Sequence, residues 1–155
     1  MKSYQLTFHQ NLPISLTEAW DFFSSPLNLA KITPTEMAFK VTSALSTHEK
    51  MYAGMIITYK ISPLLGVNLN WMTEITQTEE EKYFIDEQRF GPFKFWHHQH
   101  HFKAIPGGVA MTDILTYGLP MGIFGEMAHG IFVKKKLQEI FRFREKKTIE
   151  LFGEM

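Results

Sequence analysis

Between Val67 and Tyr117 the sequence alternates with a period of two, and it is broken only where turn-forming residues cluster. In the first run Val67, Leu69, Trp71, Thr73 and Ile75 share one side, against Asn68, Asn70, Met72, Glu74 and Thr76 on the other. Glu79 to Glu81, Gly91-Pro92 and Pro106-Gly107-Gly108 punctuate the pattern at hairpin spacing. They delimit strands at Val67–Thr78, Tyr83–Phe90, Phe93–Ile105 and Val109–Tyr117. Successive side chains of a strand project to opposite faces, so short turns between such runs specify an antiparallel meander with one apolar face. From about Glu126 to Leu151 the period becomes helical, with Met127, Ile131, Leu137, Ile140, Phe141 and Thr148 on one broad stripe. Strands followed by a terminal helix define an α+β chain, and the long helix finds its apolar partner on the concave face of a curved sheet.

The N-terminal third completes this plan. Tyr4, Leu6 and Phe8 alternate within a strand over residues 2–11, which Pro13 ends. Ser15 has Glu18 three residues on, the spacing of a capping box, and Leu16, Ala19, Trp20 and Phe23 share a helical face up to Ser24-Ser25-Pro26. Leu27–Ile32 reads as a second short helix, closed by Thr33-Pro34. Phe39–Leu45 and Met55–Ile61 read as strands, the latter rich in β-branched residues, and Leu64-Leu65-Gly66 as a compact turn. The sum is a curved antiparallel sheet of six to seven strands, two short helices after the first strand, and one long C-terminal helix. With no repeat, low-complexity tract or linker, residues 1–155 are expected to form a single domain.

At 155 residues the chain is long enough to bury about 70% of its unfolded surface without a disulfide or metal staple. It has no cysteine, which excludes disulfides, thiolate nucleophiles, zinc-thiolate sites and iron–sulfur clusters. Its formal net charge is zero, so no global field recruits nucleic acid or an anionic membrane surface. The N-terminus lacks an apolar core of signal-peptide type, and no run reaches the ~18 apolar residues of a span. A cytoplasmic location without membrane insertion is the expectation. The 14 Phe and 9 Met suit either a large core or a core with a hollow lined by large side chains.

Candidate chemistry concentrates in Phe84–Phe102. One face of its first arm carries Phe84, Asp86, Gln88 and Phe90, and one face of its second carries Trp96, His98, His100 and Phe102. Polar groups thus sit inside an aromatic frame, and Asp113 and Tyr117 join them from the next strand. His98 or His100 is the candidate general acid or base, oriented by Asp86 or Asp113. The opposing interpretation is a hydrogen-bonded network that pins the sheet register. His98-x-His100 with a carboxylate is also a set that zinc or iron accepts, but the spacing is unspecific, and neither metal nor cofactor is expected. The cations Lys134, Lys135, Lys136, Arg142, Arg144, Lys146 and Lys147 read as the solvated face of the last helix. Gly118 to Gly125 is a candidate gate, with Leu64-Leu65-Gly66 a second lip. No phosphate-binding loop, nucleophile elbow or dinucleotide fingerprint is present.

Three segments resemble the START-like ligand-binding superfamily, also called SRPBCC, whose fold is the helix-grip. They are Ala19-Trp20-Asp21-Phe22-Phe23 running on through Pro26, Asn28, Leu29, Ile32, Thr33 and Pro34; the stretch from Asp86 to Gly125 with Asp86-x-Gln88, Gly91-Pro92-Phe93, Trp96-x-His98-x-His100-x-Phe102, Met111-x-Asp113 and Tyr117-x-x-Pro120; and Phe141-x-x-Arg144. The second segment resembles small bacterial proteins of "cell division inhibitor" type. The resemblance implies a helix-grip fold over nearly the whole chain. It does not single out a function, because the superfamily includes lipid carriers, receptors and polyketide cyclases. The expected role is to hold a small hydrophobic, lipid-like or polyketide-like ligand. Trp20, Trp71, Phe84, Asp86, Gln88, Phe90, Trp96, His98, His100, Phe102, Asp113, Tyr117, Met127 and Ile131 are the expected lining. The alternatives are a cyclase, dehydratase or hydrolase working through the Asp/His cluster, and an interaction protein, monomeric or homodimeric, with a filled interior.

Overall fold

The structure is a computed structural model that describes residues 2–46, 48–62, 67–120, 127 and 132–155. Seven strands form one antiparallel sheet: β1 (Ser3–Leu12), β2 (Lys40–Val41), β3 (Ile56–Ile61), β4 (Leu69–Glu79), β5 (Tyr83–Phe90), β6 (Phe95–Ile105) and β7 (Gly108–Gly118). Their order across the sheet is β1-β7-β6-β5-β4-β3-β2. The chain leaves β1, crosses to the far edge, and meanders back until β7 pairs with β1. Helix α1 (Leu16–Phe23) makes the crossover, and α2 (Lys134–Phe152) packs back on β1. The sheet is curved.

Local chemistry accounts for most boundaries. Ser15 caps α1, its Oγ accepting from the Glu18 amide at 3.1 Å. At the other end the Asn28 side-chain amide donates to the Phe22 carbonyl at 2.9 Å. The short turn of helix expected over Leu27–Ile32 is a 3-10 helix over Pro26–Ile32, and another 3-10 turn covers Thr35–Met37. Pro26 at its start, Pro34 just beyond its end and the Thr33 hydroxyl bonded back to the Leu29 carbonyl at 2.7 Å hold this stretch in tight turns. The strand expected over Phe39–Leu45 contracts to Lys40–Val41. Beyond it the Ser43 hydroxyl takes the Thr58 amide at 2.7 Å, so a side chain replaces the ladder.

Registers in β5–β7 follow the sequence pattern. The turn at Gly91-Pro92 is braced by Gln88, whose side-chain amide donates to the Phe93 carbonyl at 2.6 Å while its carbonyl accepts the Phe93 N–H at 3.2 Å. Between β4 and β5 the register shifts twice, at Met72/Thr73 and at Ile75/Gln77. Each shift inserts one residue on one strand, which a two-residue period cannot reveal.

Trp20 of α1 sets its ring edge-on to Phe102 and Phe84, at centroid distances of 5.5 and 6.1 Å, and closes one end of the core. Helix α2 meets β1 through Phe141, stacked on Phe8 at 3.9 Å, and through the buried Thr148 hydroxyl, which donates to the Gln10 side chain at 2.8 Å. The helix expected from about Glu126 is described from Lys134, preceded by a π-turn at residues 132–133. Among the described residues no helix is long and apolar enough to cross a membrane.

Candidate functional site: an Asp/His tetrad beside a divided hollow

Strands β5, β6 and β7 lie side by side, with Asp86 opposite His98 and His100 opposite Asp113. The four side chains therefore form a compact quadrilateral on the concave face. His100 Nε2 lies 2.8 Å from Asp86 Oδ2 and its Nδ1 lies 2.8 Å from Asp113 Oδ1. His98 Nε2 lies 3.1 Å from Asp113 Oδ1 and its Nδ1 lies 3.4 Å from Asp86 Oδ2. The indole N–H of Trp96 donates to Asp86 Oδ1 at 3.2 Å. Phe84 stacks on the His100 ring at 4.1 Å, and Phe141 meets His98 edge-on at 5.6 Å.

All four imidazole nitrogens face carboxylate oxygens, and a carboxylate only accepts. The contacts are satisfied together when each nitrogen carries a proton. The electrostatics run the same way. Burial is the largest influence on Asp86 and Asp113 and opposes their ionisation, but hydrogen bonds and positive charge from His100 and His98 outweigh it. Both carboxyls are held well below the usual range. Burial likewise works against a charged His98, yet bonds and charge from Asp113 and Asp86 prevail and raise its pKa. Oxygen and nitrogen atoms of Asp86, His98 and His100 also lie within 4.8 Å of one another, a spacing compatible with an ion. Those same atoms are already paired among themselves.

Two adjoining hollows, of about 420 and 520 Å³, lie between the sheet and α2. Leu29, Phe39, Tyr59, Trp96, His98, Phe141 and Arg144 belong to both walls, which makes them the partition. The tetrad lines the first hollow. The second is bounded mainly by apolar groups such as Met37, Ile61, Trp71, Phe93 and Leu137.

The expected lining residues divide accordingly. Trp71, Phe84, Asp86, Trp96, His98, His100 and Asp113 lie on one wall or the other. Trp20 and Phe102 lie off both walls, locked into the core under α1. Gln88 is occupied in bracing its turn. Phe90 pairs with Met72 beside a register shift and is 62% exposed, so the assumption that it shares the inward face of Asp86 is corrected by the extra residue there. Tyr117 is buried against Tyr4 and Phe93 rather than on either wall, and desolvation pushes its hydroxyl up to about 12. Met127 is 59% exposed and off both walls. Ile131, residues 121–125 of the candidate gate and Leu64-Leu65-Gly66 lie outside the described residues.

Arg144 corrects the assignment of all the helix cations to the solvated face. It follows Leu137 and Phe141 and precedes Thr148 at helical spacing, on the stripe that faces the sheet, and it lines both hollows. Its guanidinium lies 5.3 Å from the Phe141 ring centroid, and its Nε is buried without a hydrogen-bond partner. Desolvation, the largest influence, lowers its pKa against the pull of Asp113, Asp86 and Tyr59. The signal in the sequence was position on the apolar stripe, which outranks membership of a basic tract. Tyr59 also escaped the sequence reading. Its hydroxyl bonds the Thr73 hydroxyl at 2.9 Å across the β3–β4 pair, and burial, then Asp86, pushes its pKa far up.

A curved seven-stranded antiparallel sheet gripping a C-terminal helix, with short helices in the crossover, is the helix-grip fold. No protein-family model and no curated protein sequence matches the chain. Solved structures do. Protein CV1439 from Chromobacterium violaceum aligns with a TM-score of 0.71 at 16% identity, over 97% of this chain and 99% of that one. Ginseng major latex-like protein 151 from Panax ginseng aligns at 0.66 and 12% identity, over 97% of each chain. Ara h 8.0201 aligns at 0.61 and 11% identity, over 96% of this chain and 99% of that one. At these identities the likeness is one of fold.

Proposed function

We propose that the chain acts as one domain that binds a small hydrophobic molecule in the hollow between its sheet and α2. The observation that carries this reading is the second hollow, about 520 Å³ with a mainly apolar wall, within the range of small-molecule sites. A core with no function to serve packs to crystal-like density, because an empty volume forfeits dispersion contacts on all its sides. The tetrad lines the adjoining hollow and reaches this one only through His98. Its role is to hold β5–β7 in register and to present a fixed edge, since a general base needs a free lone pair and every imidazole nitrogen already faces a carboxylate. The enzyme reading therefore ranks below binding. The narrower likeness to "cell division inhibitor"-type proteins rests on the sequence motifs.

Native mass spectrometry of gently purified protein, followed by denaturing extraction, tests the proposal. A stoichiometric apolar adduct is expected, and re-adding the extracted molecule should raise the melting temperature in proportion to log concentration above its Kd. A bare mass, together with no thermal shift from a library of lipids and aromatic compounds, would overturn the reading.

A further inference from the structure

The ionisable residues in the wall of the apolar hollow are Tyr59, His98, Lys136 and Arg144, and the described wall includes no carboxylate. Tyr59 is held neutral by burial, and His98 leans toward its charged form. Lys136 sits 4.0 Å from Glu139 with its side chain 27% exposed, so water and a neighbour already serve it. Arg144 differs. It lies at the partition, and no hydrogen bond or ion pair reaches its guanidinium from the described residues. The acids nearest in effect, Asp113 and Asp86, are taken up by the two histidines. The buried polar atoms left without a partner on this wall are the Nε of Arg144 and the indole nitrogen of Trp71, and both are donors. Arg144 is half-buried with its Nε fully enclosed, a cation so placed gains from a counter-charge, and donors without acceptors are complemented by a group that only accepts.

We infer that the ligand is an amphipathic acid. Its anionic group, a carboxylate, enters first and pairs with Arg144 at the partition, and its apolar body fills the 520 Å³ hollow. This rests on the binding function proposed above and adds the chemical class and the orientation of the ligand. Arginine suits the task because its planar guanidinium offers two parallel N–H donors to a carboxylate and stays charged even when partly desolvated.

Three probes with the same chain and different heads separate this inference from cavity binding in general: dodecanoate, dodecan-1-ol and dodecylammonium. Trp71 and Trp96 lie on the wall, so intrinsic fluorescence reports occupancy. Wild-type protein should bind dodecanoate about 10- to 100-fold more tightly than the alcohol, the range for a charge-assisted pair, and the ammonium most weakly. Arg144→Met should bring acid and alcohol level, Arg144→Lys should keep part of the preference, and Lys136→Met should keep all of it. Equal binding of acid and alcohol by the wild type overturns the inference and leaves the cavity function standing. So does a preference that survives Arg144→Met or vanishes in Lys136→Met. If none of the probes binds, this inference falls, and the adduct and library test above decides the cavity function. Circular dichroism establishes that each variant is folded. Should Arg144→Met fail that check, the wild-type series and Arg144→Lys decide, because an acid preference that falls in the folded lysine variant supports pairing through the two-pronged guanidinium and an unchanged preference overturns it.

Discussion

Asp86, His98, His100 and Asp113 show how far single residues could be placed from the sequence. Strand parity alone puts them on one face, because each is an even number of residues from the next within its strand or faces a partner across a hairpin of fixed length. Which atoms meet is set by register, and Phe90 is lost from that face through one inserted residue. The paired charges have a pH signature. Asp86 and Asp113 titrate lower in the fold than unfolded, so their contribution is complete above roughly pH 4 and is lost as pH falls through the folded values. His98 titrates higher in the fold, so its contribution is complete below roughly pH 6.5 and is lost as pH rises through its folded value. The melting temperature should therefore peak between about pH 4 and 6.5 and decline on the alkaline side. His98→Gln should flatten that decline, and thermal melts across the range check it. Asp113→Asn removes the charge that faces both imidazoles, and a loss of about 3–5 kcal/mol is expected in urea titrations at pH 6. A loss below about 1 kcal/mol would show that water rather than Asp113 balances the histidines.

Among the elements, those governed by local rules matched their sequence signals. Ser15 caps α1, Pro106-Gly107 turns β6 into β7 with Gly107 at a φ of 83°, and β5 spans Tyr83–Phe90 as the alternation indicates. Elements that depend on a competing partner did not. The shortened β2 reflects the Ser43 hydroxyl accepting from the Thr58 amide, which periodicity does not register. Gly108 illustrates the same divide, since nothing around it in the sequence demands glycine beyond a turn. In the fold a Cβ there would collide with the Leu12 carbonyl at the end of the β1–β7 pair. Backbone cannot swing aside as a side chain can, so Gly108→Ala should cost about 2–3 kcal/mol. Gly91→Ala should also be costly, because a Cβ there would displace the Gln88 side chain that braces the turn. Unfolding midpoints in urea test both, and a Gly108 variant as stable as the wild type would show that the chain at Leu12 yields.

Across the whole molecule the decisive contact is the pairing of β1 with β7, which joins Ser3 to Gly118. The sheet cannot be completed until the two ends of a long meander meet, and loop closure must be met before those contacts reward it. Refolding is accordingly expected in the range of milliseconds to seconds rather than microseconds. Stopped-flow fluorescence of the three tryptophans measures it directly. A single sub-millisecond phase with full amplitude would mean that β1–β7 pairing does not limit the rate.

The sequence by itself determined the plan: the main strand segments, that they run antiparallel, that the Asp/His groups of β5–β7 share one face, and that one helix closes the sheet. Those properties are written in local periods and turn residues, which act within a few positions of one another. The tertiary structure alone decided that the interior keeps a divided hollow and that Arg144 stands in its partition rather than in solvent. It also decided that the Asp/His cluster closes on itself. Hollows, registers and unpaired charges depend on distances between elements remote in the chain, and no local period encodes those distances.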